Sequence, residues 1–169
     1  MTSYFNNFKS NLDKMLYKKE DSKHILQLNY AYIISCMEAY LSNAMWGTLE
    51  QYPENYNNLG KGIGNSVKLS TICSKGIPDL IKQALNNLQY HNLAQVKIHY
   101  KYAFNVNFKS DLTELLKAVN IRHDIIHRCG VSNKKVNVDI NFDDINKLKL
   151  NVINFIKDID YQLYNNFQD

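Results

Sequence analysis

Between His24 and Leu49 the chain carries one charged side chain, Glu38, and no proline. Apolar residues fall on nearly every side of any helix drawn through this stretch, and a helix that is apolar all round is buried among others. Ser22 is a suitable N-cap, and Pro53 disfavours helix in the residue before it. A long central helix is therefore expected from about Ser22 to Tyr52, surrounded by the rest of the fold. At helical spacing Glu38 is flanked by Ala31, Ile34, Ser35, Leu41, Ser42 and Met45. A carboxylate on such a surface is costly unless it is paired.

The other segments give helices too. A short N-terminal helix is expected over roughly residues 3–18. PENYNNLGKGIGNS reads as a mobile connection; its GKGIG lacks the spacing of a phosphate-binding loop and follows no strand. Residues 77–102 read as one or two helices, with Pro78 in a first turn and Leu80, Ile81, Ala84, Leu85 and Leu88 on one face. His91 and His99 lie too far apart for one helical face and read as surface or packing residues. A further helix is expected from Ser110, its N-cap, with Asp111 in the first turn, to a closing glycine at Gly130. VNVDI, residues 136–140, alternates as a short extended segment does. The last helix has Asn141 as N-cap, Asp143 and Asp144 in its first turn, and a stripe of Ile145, Leu148, Val152, Phe155, Ile159 and Leu163. The fold class expected is all-α, a helical bundle in one domain over residues 1–169.

Hydrophobic residues at 45% indicate a folded globule. Three cysteines (Cys36, Cys73, Cys129) with no CxxC spacing supply neither a disulfide nor a zinc framework. No apolar run reaches the length of a membrane span, and MTSYFNNFKS lacks the regions of a signal peptide. These features point to a cytoplasmic protein with no membrane partner. A net charge of +4 is compatible with an anionic ligand.

The chain has 18 lysines and two arginines, and both arginines fall in IRHDIIHRCG, residues 121–130, with two of the five histidines. Arginine adds a planar fork of donors suited to carboxylate or phosphate. On a wheel at about 100° per residue, the apolar arc of this helix is drawn by Leu112, Leu115, Leu116, Val119 and Ile126. His123 falls in the middle of that arc, Arg122 and His127 on its flanks, and Asp124, Arg128, Lys117 and Glu114 on the solvent side. Polar residues thus stand where earlier turns carry leucine and valine, a conflict of pattern and chemistry expected at functional sites. Arg128 also reads simply as an i,i+4 partner of Asp124. His123 and His127 share the spacing of a metal pair, but no third ligand is recognisable, so no metal and no cofactor is expected.

RHDIIHR contains R-x-x-x-x-H, and in this the chain resembles the HEPN domains, a helical family of nucleotide-binding proteins and ribonucleases in bacterial toxins and defence systems. The polar residue after the arginine, the long helix with MEAYL, the HRCG ending and the final helix after VNVDINF are similar to the RiboL-PSP branch, over about residues 22–165. The resemblance implies an endoribonuclease of a toxin or antiphage-defence system. It would work as a homodimer whose motif helices meet across a cleft, with Arg122 and His127 catalytic and an antitoxin or regulatory protein as a further partner. It would need no metal and would cut RNA to 2′,3′-cyclic phosphate and 5′-OH ends. Supporting roles are expected for His123 and Asp124; separately from the resemblance, the lone carboxylate Glu38 is expected to hold Arg122 in place. The alternative within the family is a module that binds nucleotides, RNA or proteins without catalysis.

Overall fold

A computed structural model describes residues 1–62, 77–109 and 111–167. Among these residues there are seven helices and no strand, so the fold is all-α. They are α1 (Ser3–Asp13), α2 (Lys23–Gln51), α3 (Asn55–Gly62), α4 (Ile77–Asn86), α5 (Leu93–Phe104), α6 (Thr113–His127) and α7 (Phe142–Asn166). None is long and apolar enough to cross a membrane.

The long helix begins where its cap predicts: the Ser22 hydroxyl accepts the Ile25 N–H at 3.4 Å. α2 packs against α1, α6 and α7. Tyr100 of α5 donates from its hydroxyl to the Leu41 carbonyl at 2.8 Å. One strip of α2 nevertheless stays open, because Ile25, Leu28 and Tyr32 are about half exposed. The helix is central but not surrounded on every side, as its composition had suggested.

α1 stops at Asp13, short of the expected residue 18. The chain then turns toward α7, where Tyr17 donates to Asn146 Oδ1 at 2.7 Å and stacks near Phe142. The Lys149 ammonium takes up the Leu12 carbonyl freed at the helix end.

The stretch expected as a loop after Pro53 instead forms α3. Tyr56 and Leu59 are buried there, and α3 packs against α5 and α4. This tertiary burial overrides the poor intrinsic helicity of an Asn- and Gly-rich stretch. Part of GKGIG lies outside the described residues.

Residues 77–102 resolve into two helices, and the second is capped by Asn92, whose side chain accepts the Gln95 N–H. Ser110, expected as the cap of α6, lies outside the described residues. α6 starts at Thr113, and Asp111, expected in its first turn, precedes it and accepts the Thr113 N–H at 2.9 Å.

VNVDI forms no strand. An isolated antiparallel bridge joins Val131 to Asn137, and Val138 donates to the Gly130 carbonyl at 2.8 Å. α7 opens with a reciprocal cap between Asn141 and Asp144, and the whole predicted stripe from Ile145 to Leu163 is buried.

Candidate functional site

The site is built on α6, and its orientation differs from the wheel drawn on apolar residues. The residues of α6 that bury are Leu115, Ala118, Val119 and Ile125. Leu116 and Ile126 are 43% and 48% exposed, and His123 and His127 are exposed as well. The buried arc is thus turned by roughly 80° at 100° per residue. Arg122, not His123, stands in its middle. The cause is where the neighbours lie: α6 rests mainly on α2 and touches α7 more lightly. Its remaining apolar residues are left on an open side.

Arg122 meets Glu38 across the α2–α6 contact. Nη2 lies 3.9 Å from Glu38 Oε2, and the two side chains are only 20% and 19% exposed. The expected pairing of the lone charge on α2 is therefore present, at ion-pair distance and longer than a hydrogen bond. Glu38 Oε1 faces His91 Nδ1, also at 3.9 Å. Glu38 Oε1 and Arg122 Nε are both buried and have no hydrogen-bond partner among the described residues.

His91 was not among the candidates from sequence. It stands in the connector between α4 and α5, next to Tyr90, whose hydroxyl is buried. Nothing in the local pattern around His91 signals that this connector lies along the Glu38 face. His99, the other histidine read as a packing residue, has a buried Nδ1 without a partner, and burial lowers its pKa.

On the open side of α6 the rings of His123 and His127 lie 4.6 Å apart, inclined at 45°. The His123 pKa is lowered, first by desolvation and then by the positive charge of Arg128 and of His127. Asp124, expected on the solvent side, is mostly buried at 16% and is held by the Arg128 guanidinium. This i,i+4 pair was legible in the sequence; its burial was not. The Asp124 carbonyl accepts N–H groups from Arg128 at 3.1 Å and Gly130 at 3.0 Å, which closes the helix.

The closure falls one residue earlier than a closing glycine at Gly130 implies: Arg128 is the cap, and Cys129 as well as Gly130 takes left-handed backbone, at φ 53° and 76°. The exposed Cys129 thiol is thereby placed two residues after His127.

The structure thus brings together Glu38 with Arg122, His123 with His127, and Asp124 with Arg128. Within one chain it leaves Arg122 turned inward and His127 outward. Among the described residues no group of three or more His, Cys, Asp or Glu side chains is placed to hold a metal ion. No family model matches the chain, and no curated protein or solved structure is detectably similar to it.

Proposed function

We propose that this chain is a metal-independent endoribonuclease of the HEPN kind, acting as a homodimer in a toxin or antiphage-defence system. The observation that supports it best is the two-sided α6: Arg122 faces inward on Glu38, while His127 lies on an open face with His123, Leu116 and Ile126. Arg122 and His127 stand about 140° apart around the helix axis, too far to converge easily on one atom. Two copies of α6 facing each other on that open side set a histidine from each chain beside a phosphodiester, and Arg122, at the edge of that face, reaches it on leaving Glu38. The half-exposed Leu116 and Ile126 give that pairing an apolar contact.

The chemistry then follows from side chains that exchange protons near neutral pH. A histidine takes the proton of the ribose 2′-OH, and that oxygen attacks the phosphorus. The bond to the 5′ oxygen breaks, and the leaving oxygen receives a proton. The products are a 2′,3′-cyclic phosphate and a 5′-OH. His127 serves as the proton-transfer group. His123 stands beside it, its pKa lowered by desolvation and by the charge of Arg128. The guanidinium of Arg122 stabilises the charge that develops on the phosphorus, the role in which fixed electrostatics contribute most. Asp124 holds Arg128 and the end of the helix.

A second reading is a module that grips a nucleotide or RNA phosphate without cutting it. It is favoured by one observation, the 20% exposure of Arg122 and its contact with Glu38. Incubation of purified protein with total RNA and tRNA in EDTA separates the two. The ribonuclease yields 2′,3′-cyclic phosphate ends under these conditions and leaves DNA intact. Intact RNA together with nucleotide binding that Arg122→Lys and His127→Ala weaken would establish the binding module. Cleavage that EDTA abolishes, or cutting of DNA as well as RNA, would return the two histidines to a metal role.

A further inference from the structure

Glu38 stands between two basic side chains that come from two other parts of the chain. Its Oε2 faces Arg122 Nη2 on α6, and its Oε1 faces His91 Nδ1 in the connector between α4 and α5, each at 3.9 Å. A charge-assisted N–H···O bond closes at about 2.7–2.9 Å. Neither pair is closed, and a movement of about 1 Å toward one partner lengthens the contact with the other. Among the described residues Glu38 Oε1 and Arg122 Nε are buried and have no hydrogen-bond partner, a state that a polar group out of water leaves readily for a hydrogen bond. The carboxylate is therefore balanced between two partners.

His91 is the member that can tip the balance. Its side chain is 39% exposed and open to solvent. Histidine is also the side chain whose charge ordinarily changes near neutral pH. A neutral imidazole with its lone pair on Nδ1 repels the carboxylate and leaves Arg122 as the better partner. An imidazolium with a proton on Nδ1 attracts it. Among the described residues no other ion pair within 4.0 Å involves Glu38, Arg122 or His91. His123, on the same helix, also senses the charge of Arg122.

We propose that His91 is a positioning residue that acts on Arg122 through Glu38. Neutral His91 leaves Glu38 to hold the guanidinium against α2, and protonated His91 draws Glu38 away and frees it. The consequence, that acidification makes Arg122 available to a phosphate, rests on the function proposed above. The coupling of the three side chains does not.

The two arginines of the chain make the coupling directly readable. Protein labelled with ¹⁵N has two guanidinium Nε–H signals, one from Arg122 and one from Arg128, which Asp124 holds and which lies within electrostatic reach of His123. From about pH 8 to about pH 5.5, across the histidine range, the Arg122 signal should move and its exchange with water should quicken. His91→Gln and His91→Phe should each abolish that response and leave Arg122 in its high-pH state. Glu38→Gln should place Arg122 in the low-pH state at every pH. His123→Phe should preserve the response, which separates His91 from the nearer histidine. A wild-type Arg122 signal that does not respond to pH overturns the proposal. So does a response that persists in both His91 variants. The readout is a side-chain signal and not RNA cleavage, so the coupling stands or falls separately from the ribonuclease reading.

Discussion

Gly130 lies so close to Gln27 that a Cβ on it would come within 2.8 Å of the amide nitrogen. That amide donates to the Val138 carbonyl at 2.7 Å, so Gln27 cannot retreat without giving up the bond that ties α2 to the segment after α6. The φ of 76° at Gly130 adds the backbone strain of any other residue there. Gly130→Ala should therefore destabilise the protein by about 2 kcal/mol or more. Urea denaturation measures this, and an unchanged midpoint would show that the turn closing α6 tolerates a side chain.

Asp160 is a fully buried carboxylate that gathers three donors from two other helices or their caps. The Thr2 N–H reaches Oδ2 at 2.9 Å, the Tyr40 hydroxyl reaches Oδ1 at 2.9 Å, and the Thr2 hydroxyl also bonds Oδ1. Asp160→Ala leaves these donors without an acceptor and should reduce stability by on the order of 3 kcal/mol, against about 1 kcal/mol for Tyr40→Phe. Equal losses for the two variants in denaturant melts would contradict this ordering.

Much of this architecture is legible in the sequence, because caps and long stripes are local. Ser22, Asn141 and the Ile145–Leu163 stripe predict α2 and α7 directly. α3 escapes the same reading, since its Asn- and Gly-rich stretch becomes helical only when Tyr56 and Leu59 find a place against α4 and α5. At the site, sequence marks Glu38 as a lone charge on an apolar helix in need of a partner, and the structure sets Arg122 at 3.9 Å from it. It misorients α6, because that helix has apolar residues on two sides and only its neighbours decide which side is buried. His91 is beyond local pattern altogether: its relation to Glu38 exists only through the path of a connector.

Alkaline stability follows from the tyrosines. Burial, then the charges of Asp144 and Glu114, pushes Tyr30 up to about 12. Tyr40 and Tyr100 are raised further, chiefly by burial. An unfolded tyrosine ionises near pH 10, so above that value the native state binds more protons than the unfolded one. Stability is then fully present below about pH 10 and falls as pH rises beyond it. Urea midpoints should decline from about pH 10 upward, with tyrosinate absorbance appearing together with unfolding. Tyr30, Tyr40 and Tyr100 ionising near pH 10 in a protein that stays folded would contradict the burial that raises them.

The open face of α6 gives a prediction for assembly. Ile126 is 48% exposed beside His123 and His127, so Ile126→Glu leaves the core of one subunit intact. If two copies meet on this face, a carboxylate there places like charges in an apolar contact. Sedimentation at micromolar concentration should show a dimer for the wild-type chain and a monomer of unchanged helicity for Ile126→Glu. A monomeric wild-type chain, or a variant that remains dimeric, would remove this face from the proposal.

The most direct test of the proposed chemistry is the cleavage rate of one RNA by wild-type protein and three variants in EDTA. General acid–base help is typically worth roughly 10²–10⁴-fold, so His127→Ala should lose activity on that scale while remaining folded. Arg122→Lys should be severely impaired although it keeps its charge, because lysine lacks the planar fork. Arg128→Lys, which can still pair with Asp124, should cleave at nearly the wild-type rate. Loss of cleavage in the first two variants with retention in the third is the predicted result. Cleavage by His127→Ala and Arg122→Lys at the wild-type rate would contradict the assignment of the reaction to these two side chains.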